Sequence, residues 1–194
     1  MRTFVIYIFS AICLISAYHA IGQDDSTGNG APVLKHSIST DPLLPLFNSF
    51  ALVYEFEKTK KTSLILGFWY GKETETYPKM LDYPGYVVNI SPIFACRYYV
   101  WKKLHTEYQL YPGYSKYYNK NEDRFYKSFN LFNELRIGYR FNFKLFNRPF
   151  MLNLQFPVGF TIYDSNEPDS FKEIRKQDPV FYIFYPNVYF GIRF

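Results

Sequence analysis

Seven charged residues interrupt stretches that are otherwise apolar or small and neutral: Glu55, Arg97, Glu107, Glu134, Arg136, Arg140 and Arg193. Each falls on the polar side of an apolar/polar alternation, so together they would face a shared, confined space. Isolated charges in such a space are costly and should pair and hydrogen-bond across it. One reading is a pathway for ions or protons. The other, which is the expectation, is a packed salt-bridge plug that fixes strand register and closes the interior.

Other reactive residue types are sparse. His36 and His105 are the histidines beyond the N-terminal leader considered below, and His105-Thr106-Glu107 is the nearest approach to a histidine–carboxylate arrangement. No serine adjoins it and no G-x-S-x-G occurs, so no catalytic residue is assigned and no enzyme is expected. There is no Cys/His metal spacing and no Gly-rich phosphate loop, so neither a metal nor a cofactor is expected. Asp164-Ser165-Asn166-Glu167 and Asn121-Glu122-Asp123 offer carboxylates for weak Ca²⁺ contact. They lack the EF-hand pattern and read as solvated loop tips. The net charge of +5 is modest, and no Lys/Arg block exceeds two or three residues, so nucleic acid is not an expected partner.

The elements that must position these residues have period two. At the C-terminus Phe184, Pro186, Val188, Phe190, Ile192 and Phe194 share one face, with Tyr189, Gly191 and Arg193 on the other. Residues 151–163 and 128–143 alternate the same way, with Leu152, Leu154 and Phe156 opposed to Asn153 and Gln155, and Leu135, Ile137 and Tyr139 opposed to Glu134, Arg136 and Arg140. Weaker versions occupy 86–100, 104–117, 48–57 and 62–72. A helix would not alternate over so many residues, so these are seven strands.

Short connections at 58–61, 101–103 and 144–148 alternate with long polar ones at 73–85, 118–126 and 164–179. In an antiparallel meander this puts tight turns at one end and long loops at the other. Parity then requires one earlier strand, for which residues 33–40 are the candidate despite the break in alternation at His36. The count becomes eight, the smallest usual number for a closed transmembrane barrel.

The chain has 194 residues, 22% of them aromatic, with 20 Tyr and 21 Phe against 3 Met. That excess favours strands. Residues 1–22 read as a secretory signal peptide: Arg2, an apolar stretch from Phe4 to Ala17, and Ala20-Ile21-Gly22 for cleavage. Cys13 does not make a lipoprotein box, because Ile12 precedes it. Without this leader Cys96 is the sole cysteine and no intrachain disulfide forms. Residues 23–32 read as a flexible N-terminal segment.

Alternation alone fits a soluble barrel with its apolar face inside or a membrane barrel with that face in lipid. The polar faces here are rich in Gly, Ser and Asn with isolated Glu and Arg, which suits a cramped lumen. The apolar faces are continuous, gather Tyr and Phe near their ends, and belong to strands of 10–16 residues. Tyr77, Met80, Tyr83 and Tyr86, with Tyr117, Tyr118 and Phe125, form either an upper aromatic girdle, the favoured reading, or a contact surface.

The final residues, Tyr189-Phe190-Gly191-Ile192-Arg193-Phe194, resemble the terminal signal of bacterial outer-membrane β-barrel proteins, with Phe190, Ile192 and Phe194 as the insertion signal. With the leader, size and strand count, residues 33–194 resemble the small eight-stranded barrels of the OmpA/OmpX type. The resemblance implies an all-β, closed antiparallel up-and-down transmembrane β-barrel in the outer membrane of a Gram-negative cell envelope. Its implied partners are outer-membrane lipid and lipopolysaccharide, the barrel-insertion machinery and an unknown extracellular ligand. The expected role is structural, or binding and adhesion through extracellular loops. A soluble periplasmic or secreted β-barrel binding an apolar ligand is the first alternative, and an outer-membrane lipid-modifying enzyme the second.

Overall fold

A computed structural model describes residues 35–74, 84–177, 181–182 and 186–194. The leader 1–22, the segment 23–32, and Tyr77, Met80 and Tyr83 lie outside the described residues. Among the described residues nine strands and one α-helix follow in chain order. They are β1 (His36–Thr40), β2 (Ser49–Glu57), β3 (Thr62–Thr74), β4 (Gly85–Trp101), β5 (Leu104–Asn119), β6 (Arg124–Leu145), β7 (Arg148–Asp164), α1 (Asp169–Gln177), β8 (Phe181–Tyr182) and β9 (Asn187–Arg193). A 3-10 turn, Leu44–Phe47, joins β1 to β2.

β1 to β7 pair in sequence order, all antiparallel, and β9 closes the set by pairing with β7 on one side and β1 on the other. The closure runs Ser37 to Arg193, Ile38 to Ile192 and Thr40 to Phe190. It ends in reciprocal backbone bonds between His36 and Phe194 at 3.0 and 2.9 Å. The result is an eight-stranded antiparallel ring compatible with a small β-barrel. Closure pairs the first strand of the ring with the last, so neither β1 nor β9 is an open edge strand. β8 adds a two-residue pairing against Val158 and Gly159 of β7.

The short connections are tight turns: Phe146 and Asn147 both have positive φ (49° and 59°), as a two-residue hairpin requires, and Lys102 has φ 50°. In the 58–61 turn the Thr59 hydroxyl accepts from the Lys61 and Thr62 amides at 3.1 and 3.0 Å.

Several expectations change. Residues 118–126 are not a long loop: β5 continues to Asn119, β6 starts at Arg124, and four residues turn between them. Residues 164–179 are not a plain loop either, since they hold the end of β7 and all of α1. The strands are less uniform than 10–16 residues, with β1, β2 and β9 at 5, 9 and 7 and β6 at 22. His36 does not break the alternation. It lies outside the ring with Ile38, while Ser37 and Ser39 point in and are buried.

Two irregularities adjust the register, one in β4 between Tyr99 and Trp101 and one in β7. Leu131 pairs with Tyr163 and Phe132 with Thr161, which leaves Ile162 as the extra residue of a bulge in β7. Phe132 lies over Gly159, where a Cβ would come within 2.4 Å of its ring. Glycine is therefore needed there for a close approach, not for a turn.

Candidate functional site

The interior of the ring is layered. At the tight-turn end Glu55 of β2 accepts from Arg97 of β4 at 2.6 Å and also binds Arg140 of β6. Arg97 reaches on to Glu107 of β5, again at 2.6 Å. Arg140 bonds Glu57 at 2.6 Å, and Arg193 of β9 meets the same carboxylate at 3.0 Å. One layer up, Arg136 donates to Glu134 at 2.9 Å, to Gln155 at 2.7 Å and to the Tyr111 and Tyr189 hydroxyls at 2.8 and 3.2 Å. Gln155 also donates to Glu107 at 3.0 Å, linking the two layers.

All seven charged residues singled out from the sequence thus come together. Arg140 is 1% exposed, Glu55 2% and Arg97 3%. Glu57 completes the set: four carboxylates (Glu55, Glu57, Glu107, Glu134) meet four guanidiniums (Arg97, Arg136, Arg140, Arg193). Sequence reading missed Glu57 because it sits at a strand end beside the Lys58–Lys61 turn. Of the neutral hydrogen-bonding partners, sequence reading puts Gln109, Gln155 and Tyr189 on the polar face without a part in the network and misses Tyr99 and Tyr111, although strand parity alone points both inward. With these eight charges paired to one another, the arrangement neutralises and cross-links at this level; it does not present a row of open charges to a moving ion.

Above the ion pairs lies an apolar layer that the alternation hid. Ala51, Val53, Ile65, Ile93, Tyr111 and Tyr189 form a buried cluster, with Trp69 and Phe132 against it. Above this again the interior is polar: Asn89 donates to the Glu73 carboxylate at 3.2 Å, and Ser115 bonds both Asn89 and Asn130. α1 lies across this end. Phe171 is fully buried between Val87 and Tyr117, its ring 5.3 Å from the Tyr117 ring. Asn119 donates to the Ser170 hydroxyl at 3.0 Å, and Arg175 forks onto Glu167 at 2.6–3.0 Å.

The remaining candidate residues have local partners. His105 is buried, with Nδ1 3.3 Å from the Lys103 carbonyl and Nε2 3.4 Å from the Gln155 amide nitrogen. Asp164 accepts from Tyr117 at 2.6 Å and also binds Ser128. Among the described residues no three His, Cys, Asp or Glu side chains gather in a metal-holding arrangement. Cys96 is exposed, on the outer face of β4.

Outside the ring the polarity is reversed. Leu66, Phe94, Leu135, Ile137 and Phe156 are each about half exposed while the charges sit within. Phe190 packs 5.3 Å from the Phe150 ring and 6.3 Å from Phe143, Ile192 is outward beside them, and Phe194 stacks on His36 at 5.8 Å. Of the expected aromatic group, Tyr86, Tyr118 and Phe125 cluster on the outer face with ring separations of 5.0–6.4 Å. Tyr117 does not join them; its odd position in β5 turns it inward under Phe171. No family model, curated protein or solved structure matches the chain, so the residues themselves carry the functional reading.

Proposed function

We propose that this chain is an integral outer-membrane β-barrel protein with a side-chain-filled lumen, inserted after removal of a leader peptide. Its role is structural, or surface binding through the long-connection end. The observation that carries the reading is the inverted polarity: arginines and glutamates at 1–6% exposure inside, and rows of Leu, Ile and Phe at 38–60% outside. In water such a surface would be an aggregation hazard far larger than the apolar patches that soluble monomers tolerate. In a bilayer it meets acyl chains at no such cost, and the closed ladder satisfies the backbone.

The dimensions agree. On β5 the outward residues from Leu104 to Tyr114 carry no charge. The eleven residues of this stretch, ten rises, cover about 33 Å of strand, or about 25 Å along the ring axis at the usual tilt, which is the height of a barrel's apolar band. The ion pairs across the interior support a plugged lumen, so a conducting role is not part of the proposal.

Membrane extraction tests it. The expressed chain should stay in the pellet after alkaline carbonate and should migrate differently on gels before and after boiling. A mature chain that is freely soluble in carbonate, with unchanged mobility, would overturn the reading.

A further inference from the structure

We propose that Lys72, Lys116 and Lys127 form a row that binds the phosphate of an anionic lipid headgroup, in the leaflet adjoining the long-connection end. This rests on the membrane reading and names a partner for it.

The register brings the three together. Lys72 pairs with Val88, Val88 with Lys116 and Lys116 with Lys127, so all three stand at one level across β3 to β6. The row below is Tyr70, Ile90, Tyr114 and Phe129, the start of the apolar band; the row above holds Tyr86, Tyr118 and Phe125. Lysines framed by aromatic rows mark the level where hydrocarbon gives way to headgroups.

Their directions agree with that level. The Lys72 ammonium lies 4.8 Å over the Tyr86 ring and that of Lys116 4.3 Å over Phe125. Both therefore lean one row up, away from the apolar band, as snorkelling side chains do.

The charge arrangement calls for an anion. Lys116 and Lys127 are directly opposite on adjacent strands, where like charges repel. Among the described residues no carboxylate of these strands relieves them: Glu73, Glu107 and Glu134 of β3, β5 and β6 stand at alternate positions that point inward, and Asp123 of the turn above accepts from the Tyr118 hydroxyl at 2.8 Å. A phosphate, with its charge and several acceptor oxygens, suits two or three converging ammonium groups.

The test uses the full chain folded into phosphatidylcholine vesicles containing phosphatidic acid, with Lys116→Gln/Lys127→Gln alongside. Heat-modifiable mobility first checks insertion. Retained lipid is then counted by native mass spectrometry after extraction. The parent chain should retain phosphatidic acid over phosphatidylcholine by about tenfold, and the variant should lose that preference while still inserting. Relief of the Lys–Lys repulsion should also make the variant the more stable of the two in phosphatidylcholine alone. Insertion of both chains with equal lipid retention would overturn the lysine row and leave the membrane reading standing. Failure of the parent chain to insert would overturn the membrane reading, and the row with it. If millimolar inorganic phosphate removes the preference, the ligand is free phosphate and the lipid assignment fails. A lysine-dependent dimer in place of bound lipid would assign the row to a second copy and overturn the proposal.

Discussion

Arg97 and Glu55 meet at 2.6 Å although their strands, β4 and β2, are not neighbours; β3 lies between them. Backbone ladders fix each strand only against the next. Arg97 holds β2 through Glu55 and β5 through Glu107, so one guanidinium fixes the spacing of strands that share no ladder.

Replacing Arg97 with Met should therefore cost about 3–5 kcal/mol, because two buried carboxylates lose a shared cation. Urea unfolding of the chain in vesicles measures this as a fall in midpoint. Adding Glu107→Gln should recover part of the loss by removing one stranded charge. An unchanged midpoint for Arg97→Met would mean that the interior is open to water.

The strands, their inward and outward faces and the charged interior were legible because alternation with period two needs no tertiary information. Arg97, Glu107 and Arg140 stand out as charges on faces that otherwise carry small neutral residues. Ile65 and Ile93 were hidden for the opposite reason: parity puts them inside, but their type matches the outer face. The turn at 120–123 read as a long loop because Lys, Asn, Glu and Asp crowd it. The pairing of Tyr118 with Phe125 carries the strands past the point where that polarity begins. In α1, Phe171 and Ile174 repeat at helical spacing, a signal too short to stand out until the ring supplies the surface they bury against.

Phe171→Ala should release α1 without unfolding the ring. Deletion of a buried Phe side chain typically costs about 3–5 kcal/mol, and among the described residues its apolar cluster is Val87, Tyr117, Tyr126 and Ile174. Hydrogen exchange should show loss of amide protection over residues 169–177 with β2 and β3 unaffected. Equal loss throughout would show that α1 is integral to the ring's stability.

Phe190→Ala should impair closure more than Phe194→Ala. Phe190 contacts the rings of Phe150 and Phe143, whereas Phe194 stacks on His36. At about 0.5–1.5 kcal/mol for each aromatic pair, Phe190 accounts for roughly twice as much. Folding into vesicles, followed by the gel shift, should be slower for Phe190→Ala, and equal rates would contradict the assignment.

The most direct measurement asks what the outer rows touch. Trp69 lies inside against Tyr111 at 6.4 Å, and Phe94 is outward in the middle of β4. Two proteins suffice: Trp101→Phe, which keeps Trp69, and Trp69→Phe/Trp101→Phe/Phe94→Trp, which places the fluorophore outside. In vesicles with brominated acyl chains, the outward tryptophan should be quenched strongly and Trp69 only weakly. An outward tryptophan that bromine leaves untouched, while iodide in the water quenches it, would contradict the membrane assignment.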